Sequence, residues 1–373
     1  MVNIGNRLLA RGMNIASAAL LSLPTALAAQ QVQHYTQTNL VSDTPGMASI
    51  TDPNLVNPWG LSRSSGSPWW VSDNGPGLTT LYGATGTPAS LVVKIPPADS
   101  SSGQTGTPTG QIYNGTTGFQ LAAGFPAHFI FVTEDGTISG WNSGVNAGSA
   151  VIMVNTMSES VFKGVAVAPV VDPVLGPTDY LYVADFRKGR VEVYDTNFHR
   201  VSLDDDAFGD ERIPRGFAPF NVQDIGGNLY VAYAQQDSAK HDEVDGQGLG
   251  YVDVFSPEGR LLHSLEWGQW FNAPWGIAQA SGDFGAYSHD ILVGQFGSGQ
   301  ILAFDPVTGR YKGNLLNASG SPIAIDGLWG LAFGSGTGSG AANALYFTAG
   351  PDGEQHGLFG TIAAVENVLG GDR

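Results

Sequence analysis

The feature that most constrains this chain is a template that recurs along its length. Each copy starts with a Pro or aromatic residue next to Gly, runs into an apolar strand, and continues through a loop to a second strand rich in Tyr and Val. A Gly and a third strand follow. One copy is Asn57-Pro58-Trp59-Gly60-Leu61 with Trp70-Val71-Ser72-Asp73, and another is Ala273-Pro274-Trp275-Gly276-Ile277 with Ile291-Leu292-Val293-Gly294. Others begin at Phe125, Lys163, Ala218 and Gly327. Aligned on residues 60, 128, 164, 221, 276 and 330, the copies are separated by 68, 36, 57, 55 and 54 residues. Strand runs such as Val191-Glu192-Val193-Tyr194 alternate apolar and polar side chains, as half-buried strands do. Asp195-Thr196-Asn197, Pro257-Glu258-Gly259 and Pro306-Val307-Thr308-Gly309 are turn sequences that close hairpins.

Six such units predict an all-β fold, a six-bladed β-propeller of four-stranded antiparallel blades. Repeat architecture also explains how some 345 residues form one domain (29–373), since each unit buries its face against its neighbours. With 52 Gly, 21 Pro and 13% charged residues, long helices are disfavoured, while 42% hydrophobic residues suffice for a core. The chain has no Cys, so disulfides and thiolate chemistry are excluded and the ring must be locked otherwise. The segment His34 to Val41 is expected to supply that lock by completing the last blade. Ser100 to Gly110 and Gly334 to Gly340 read as low-complexity loops; the second lacks the Gly-Lys-Ser/Thr ending of a phosphate cradle.

Residues 1–28 have the layout of a secretory signal peptide, with Arg7 and Arg11 ahead of an apolar run from Met13 to Leu23 and an Ala26-Leu27-Ala28 cleavage site. Secretion, extracellular or periplasmic, is the expectation, with no membrane span. A net charge of −17 argues against nucleic acid and anionic lipid as partners. A monomer that meets a small molecule, glycan or peptide is expected.

No motif fixes a reaction. In a propeller the loop joining the second and third strands shares a face with the start of the first strand, which brings a set of side chains to one rim. Asp73, Asn74, Asp185 and Arg187 are candidate ligand contacts there. Two long loops join them: 235–248, with Asp237, Lys240, His241, Asp242 and Glu243, and 350–357, with Asp352, Glu354 and His356. His241, Glu354 and His356 are the candidate acid–base groups, His356 only if it turns toward the channel. His241-Asp242-Glu243 with Asp245 offers imidazole and carboxylates at short spacing that suit a metal or ligand contact; a solvated polar loop is the plainer reading. Asn57, Asn221, Asn272 and Asp326 recur near the starts of inner strands, and a ring of such oxygens suits Ca²⁺; turn residues bonding their own backbone are the plainer reading. Any cofactor is thus expected to be a divalent cation, calcium first. Trp59, Phe220, Trp275 and Trp329 are expected to pack between blades. His128, standing where other copies have Gly, is placed against the channel.

Asn57 to Leu61, Gly216 to Asn221, Lys240-His241-Asp242 with Gly250 to Phe255, and Tyr346 to Pro351 with His356 to Gly360 together resemble a family of exported bacterial propeller proteins of uncharacterised function. Some members of that family carry PEP-CTERM sorting tails; this chain ends Val368-Leu369-Gly370-Gly371-Asp372-Arg373, without Pro-Glu-Pro. More distantly, the Pro-Trp-Gly repeat is similar to NHL repeats and to lactonase-like six-bladed propellers with calcium in the channel. These resemblances imply the fold and export and bring no activity. Three functions stay open: an extracellular ligand-binding module using one loop-rich face, a metal-dependent hydrolase or lactonase at the channel mouth, and a structural surface or matrix protein.

Overall fold

A computed structural model describes residues 33–365 apart from 173, 175 and 205. The segment 1–28, read above as a signal peptide, and the C-terminal residues 366–373 lie outside the described residues. Six small antiparallel sheets follow one another along the chain and form a six-bladed β-propeller. Their innermost strands are Pro58–Ser62, Pro108–Tyr113, Phe162–Asp172, Phe217–Ile225, Pro274–Gln279 and Leu328–Phe333. We number the blades 1 to 6 in that order. The strand Tyr35–Ser42 is the outer strand of blade 6, antiparallel to Leu358–Ala364, so the start of the described chain closes the ring as expected. Among the described residues no helix is long and apolar enough to cross a membrane.

Burial explains why the repeat is periodic. One apolar cluster lies between each neighbouring pair of blades. Ile130, Val132 and Ile138 of blade 2 meet Val165, Leu181 and Val183 of blade 3. Trp70 and Leu81 of blade 1 meet Phe129, Phe131 and Trp141 of blade 2. Val41, Tyr346 and Phe359 of blade 6 meet Trp69, Val71 and Tyr82 of blade 1, so the closing strand helps bury the seam between first and last blades. A blade alone would leave both faces wet; the ring leaves neither.

The structure corrects the alignment of blade 2. Its inner strand is Pro108–Tyr113, which begins inside the stretch read as a low-complexity loop, and Phe129–Thr133 is its second strand. Gly110 therefore takes the place given to His128, and the intervals from Gly60 through Gly110, Gly164, Asn221 and Gly276 to Gly330 become 50, 54, 57, 55 and 54 residues. His128 is exposed, away from the channel, with Nε2 3.3 Å from Asn142 Nδ2.

The inner strands approach closely at these glycines. A Cβ on Gly110 would lie 2.9 Å from the Cα of Gly164, and one on Gly164 would run into the side chain and Cα of Asn221. Glycine is required there by backbone contact.

The aromatic residues of the template do not pack between blades. Trp59, Phe220, Trp275 and Trp329 form a cluster of their own. Trp59 stacks on Trp329 at 3.4 Å between ring centroids, Trp275 stands edge-on to both at 5.8 Å, and Phe220 of blade 4 meets Trp59 of blade 1 at 6.3 Å. Contact between opposite blades means that these rings fill the axis.

Candidate functional site at the channel mouth

The site follows from two positions of the repeat. The residue before the inner-strand glycine (Asn221 in blade 4) is Trp59, Thr109, Lys163, Phe220, Trp275 and Trp329 across the six blades, and all but Thr109 meet one another at the axis. The residue just past the second strand's pairing with the first is Asn74, Glu134, Phe186, Phe296 and Gly350 in five blades; in blade 4, where the pairing runs on to Phe217 and Gln235, Ala234 holds the equivalent place. In five of the six its N–H bonds back to the inner-strand start, as in Asn74 to Asn57 O (3.1 Å) and Glu134 to Thr107 O (3.1 Å). Blades 3 to 6 thus contribute mainly aromatic and small side chains, while Asn57, Asn74, Glu134 and Lys163 make one polar sector.

Lys163 is the centre of that sector and has no exposed surface. Its Nζ donates to Glu134 Oε1 at 2.6 Å and lies 3.5 Å from Asp242 Oδ1. It also lies 4.7 Å from the centroid of Trp59 and 5.9 Å from those of Phe186 and Phe220. An ammonium taken from water must be repaid by charge and hydrogen bonds, and three ring faces with two carboxylates do so. Burial pulls the lysine's pKa down, but Glu134, Glu243 and Asp242 outweigh it and leave it above the ordinary value.

Glu134 Oε2 accepts from Asn74 Nδ2 (2.9 Å). Asn57 is fixed in turn: its Oδ1 accepts from Trp329 Nε1 (3.1 Å) and its Nδ2 donates to Glu354 Oε2 (2.8 Å). Its φ of 47° lies in the left-handed region, which Asn tolerates better than most residues.

Two loops cover the polar sector. From blade 4, the Asp237 carboxylate accepts the N–H of His241 (2.8 Å), and His241 Nδ1 sits 2.7 Å from Asp242 Oδ1. From blade 6, Pro351–Glu354 forms one turn in which Asp352, Gly353 and Glu354 have φ of 57°, 61° and 68°. Two of these are not glycine, so the turn holds backbone strain while presenting Glu354 to Asn57.

The electrostatics are lopsided. Glu134, Asp242, Glu243 and Glu354 gather around a single ammonium. The bond from His241 and the nearby Lys163 hold Asp242 at about 2 against the opposing effect of burial. His241 is pushed up by its bond to Asp242. Burial, with repulsion from Glu354 and Asp242, pushes Glu243 up to about 7 despite the pull of Lys163. Glu354 is also raised, by burial first and then by Glu134 and Asp242. Carboxyls raised by desolvation and by each other mark a pocket short of positive charge. Ligand atoms of Glu134, His241 and Asp242 all lie within 4.8 Å of one another, a set that suits a metal ion.

Comparison with known proteins bears on the whole chain. No family model matches it. Uncharacterized protein R648 of Acanthamoeba polyphaga mimivirus is 33% identical over 339 residues, covering 87% of this chain and 78% of the viral protein. Uncharacterized protein L690 of the same virus is 31% identical, covering 87% and 84%. The chain belongs to the family of these proteins. Among solved structures, a glucose dehydrogenase superposes with a TM-score of 0.53 at 12% identity, covering 87% of this chain and 99% of that one. A Bacteroides thetaiotaomicron protein of unknown function gives 0.52 at 10% identity, covering 90% and 77%. At such identities the likeness is one of fold alone.

Of the residues singled out in the sequence, the structure brings Asn57, Asn74, His241, Asp242 and Glu354 together at the mouth. Others lie elsewhere. His356 turns to Asp43, its Nδ1 2.9 Å from Asp43 Oδ2, while Asp43 Oδ1 accepts the N–H of Gly357 (2.8 Å). It pins the 350–357 loop to the end of the closing strand. Asp73 and Asp185 are wholly buried behind the rim. Burial raises both carboxyls, and Asp185 Oδ1 caps its hairpin by accepting the N–H of Lys188 (3.0 Å). Arg187 donates to Ser158 O (2.7 Å). Lys240 and Asp352 are exposed on the two loops. In the proposed oxygen ring, Asn221 Oδ1 accepts Val222 N–H, Asn272 Oδ1 accepts Gly246 N–H, and Asp326 Oδ2 accepts Asp352 N–H. Each of these oxygens is engaged by backbone, the behaviour of turn residues.

Glu134 and Lys163 are the functional residues that sequence reasoning missed. Their signal lay in the repeat: a lysine stands where four other blades have Trp or Phe. Misalignment of blade 2 hid the glutamate.

Proposed function

We propose that this protein is an exported ligand-binding propeller whose site is the charged pocket at one mouth of the channel, and that what it binds there is cationic, a divalent metal ion first. The observation that carries this reading is the gathering of four carboxylates around one buried ammonium. A bound cation would offset the burial, and the lesser repulsion, that hold Glu243 and Glu354 above their ordinary range. One imidazole and two carboxylates from Glu134, His241 and Asp242 favour a transition-type ion such as Zn²⁺ or Mn²⁺ over the all-oxygen shell that Ca²⁺ prefers.

The test is elemental analysis of the purified mature protein, paired with melting curves before and after EDTA. About one divalent ion per chain, and a melting point that falls on chelation and recovers with Mn²⁺ or Zn²⁺, supports the reading. No metal, and no response of either wild type or Glu134→Gln to added ions, contradicts it. A metal-dependent hydrolase is the second reading. Three protein ligands leave coordination positions open, as catalytic sites do, so that a bound ion would polarise a carbonyl and activate water. Ester and lactone turnover that is lost in both His241→Ala and Glu134→Gln would favour it over simple binding.

A further inference from the structure

The inner strands lead from the charged mouth to a second opening at their far ends. There a cavity of about 470 Å³ is lined from five blades. Its size falls within the range of about 300–1,000 Å³ typical of small-molecule pockets.

The chemistry of this funnel differs from that of the mouth. At its throat stand two amides. Gln111 gives both N–H groups to the protein, to Gly60 O and Trp70 O at 2.9 Å each. Gln223 lines both the funnel and a small cavity of about 30 Å³ behind it, and its side chain makes no hydrogen bond within the described residues. On the wall, Arg63 is held rigidly: Nε donates to Phe333 O (2.9 Å), Nη2 to Gly334 O (3.0 Å), and the guanidinium lies 5.5 Å from the Trp69 ring centroid. Its Nη1 keeps two N–H groups for another partner. Asp224 supplies one carboxylate, with Gly227 N–H on Oδ1 (3.0 Å). Tyr113, 37% exposed, stands at the rim beside apolar Leu61, Ile277 and Leu331.

One guanidinium and one carboxylate cancel, so the funnel selects neither anions nor cations. A purely apolar occupant would strand Gln223, the Arg63 N–H groups and Asp224, which is costly. What fits is an uncharged molecule with many donors and acceptors and apolar C–H faces. We propose that the funnel is a second ligand site, independent of the charged mouth, that takes a neutral saccharide of one or two rings.

Saturation-transfer NMR and calorimetry with glucose, galactose, N-acetylglucosamine, maltose and cellobiose on the full mature chain test this. At least one sugar binds wild type, binding weakens tenfold or more in Gln223→Leu and several-fold in Tyr113→Ala, and it is unchanged in Glu134→Gln and by EDTA. Melting curves establish that each variant is folded; should Gln223→Leu fail to fold, the exposed Tyr113→Ala decides. The proposal is overturned if none of the sugars binds, if binding follows Glu134→Gln in place of the funnel variants, or if glucuronate or glucosamine displaces the neutral sugars.

Discussion

Lys163 and its neighbours concentrate the chain's unusual chemistry at a few positions. A lysine occupies an axial position that is aromatic in four blades, and the side chains around it are those a buried ammonium needs. Removing one partner of a buried ion pair leaves the other charged and unpaired, at about 3–5 kcal/mol. Lys163→Met is therefore expected to destabilise by that amount in urea unfolding. Adding Glu134→Gln to it, which keeps an acceptor for Asn74, is expected to recover part of the loss; equal or additive losses would contradict the pairing. Glu243 supplies a pH signature. Its folded value of about 7 exceeds the ordinary carboxylate value, so between roughly pH 4.5 and 7 the folded state binds more protons than the unfolded one. Stability is then lost as pH rises through that window. Glu243→Gln is expected to stabilise the metal-free protein by about 1–2 kcal/mol at pH 8, after allowance for solvent screening, and not at pH 4. Thermal melts at the two pH values check this.

At the scale of strands and loops, most of the architecture was legible because each element's burial is written in its sequence. Alternating strands, Pro-aromatic-Gly starts and turn residues located five of the six inner strands. Blade 2 escaped because Thr107-Pro108-Thr109-Gly110 keeps the Pro-x-Gly frame but has threonine for the aromatic residue and follows a run of Ser, Gly and Thr. The two rim loops were legible as long and polar, but not which of their side chains turn inward. His356 and Glu354 are two residues apart and serve different partners, Asp43 and Asn57, because the left-handed turn at 352–354 separates them. Sequence spacing does not reveal such a turn. The close approach of inner strands gives a further prediction. Gly164→Ala forces blades 3 and 4 apart at Asn221 and is expected to cost about 1–3 kcal/mol, as overpacking does. The same change at the half-buried Gly176, where an added Cβ meets nothing, removes a residue with φ of 83° and is expected to cost about 1 kcal/mol from backbone strain alone. Chemical denaturation separates the two.

For the whole molecule, closure by Tyr35–Ser42 does what a disulfide does in other folds, tying the last blade to the first. The six interblade clusters make the ring stiff, and the axial rings of Trp59, Phe220, Trp275 and Trp329 divide it into two ends of different character. One end is acidic and roofed by loops; the other is an open funnel of balanced charge. The fold was readable from the sequence because every blade repeats it. The site was only partly readable, because it is made where blades 1, 2, 3, 4 and 6 depart from the repeat. The claim that the acidic end holds a cation is tested most directly by a crystal of the protein soaked in Mn²⁺ and measured at a wavelength where manganese scatters anomalously. The account predicts an anomalous peak bonded to Glu134, His241 and Asp242 at about 2.0–2.3 Å. A map with no peak there, or one whose ion sits on Asn221, Asn272 and Asp326 instead, would contradict it.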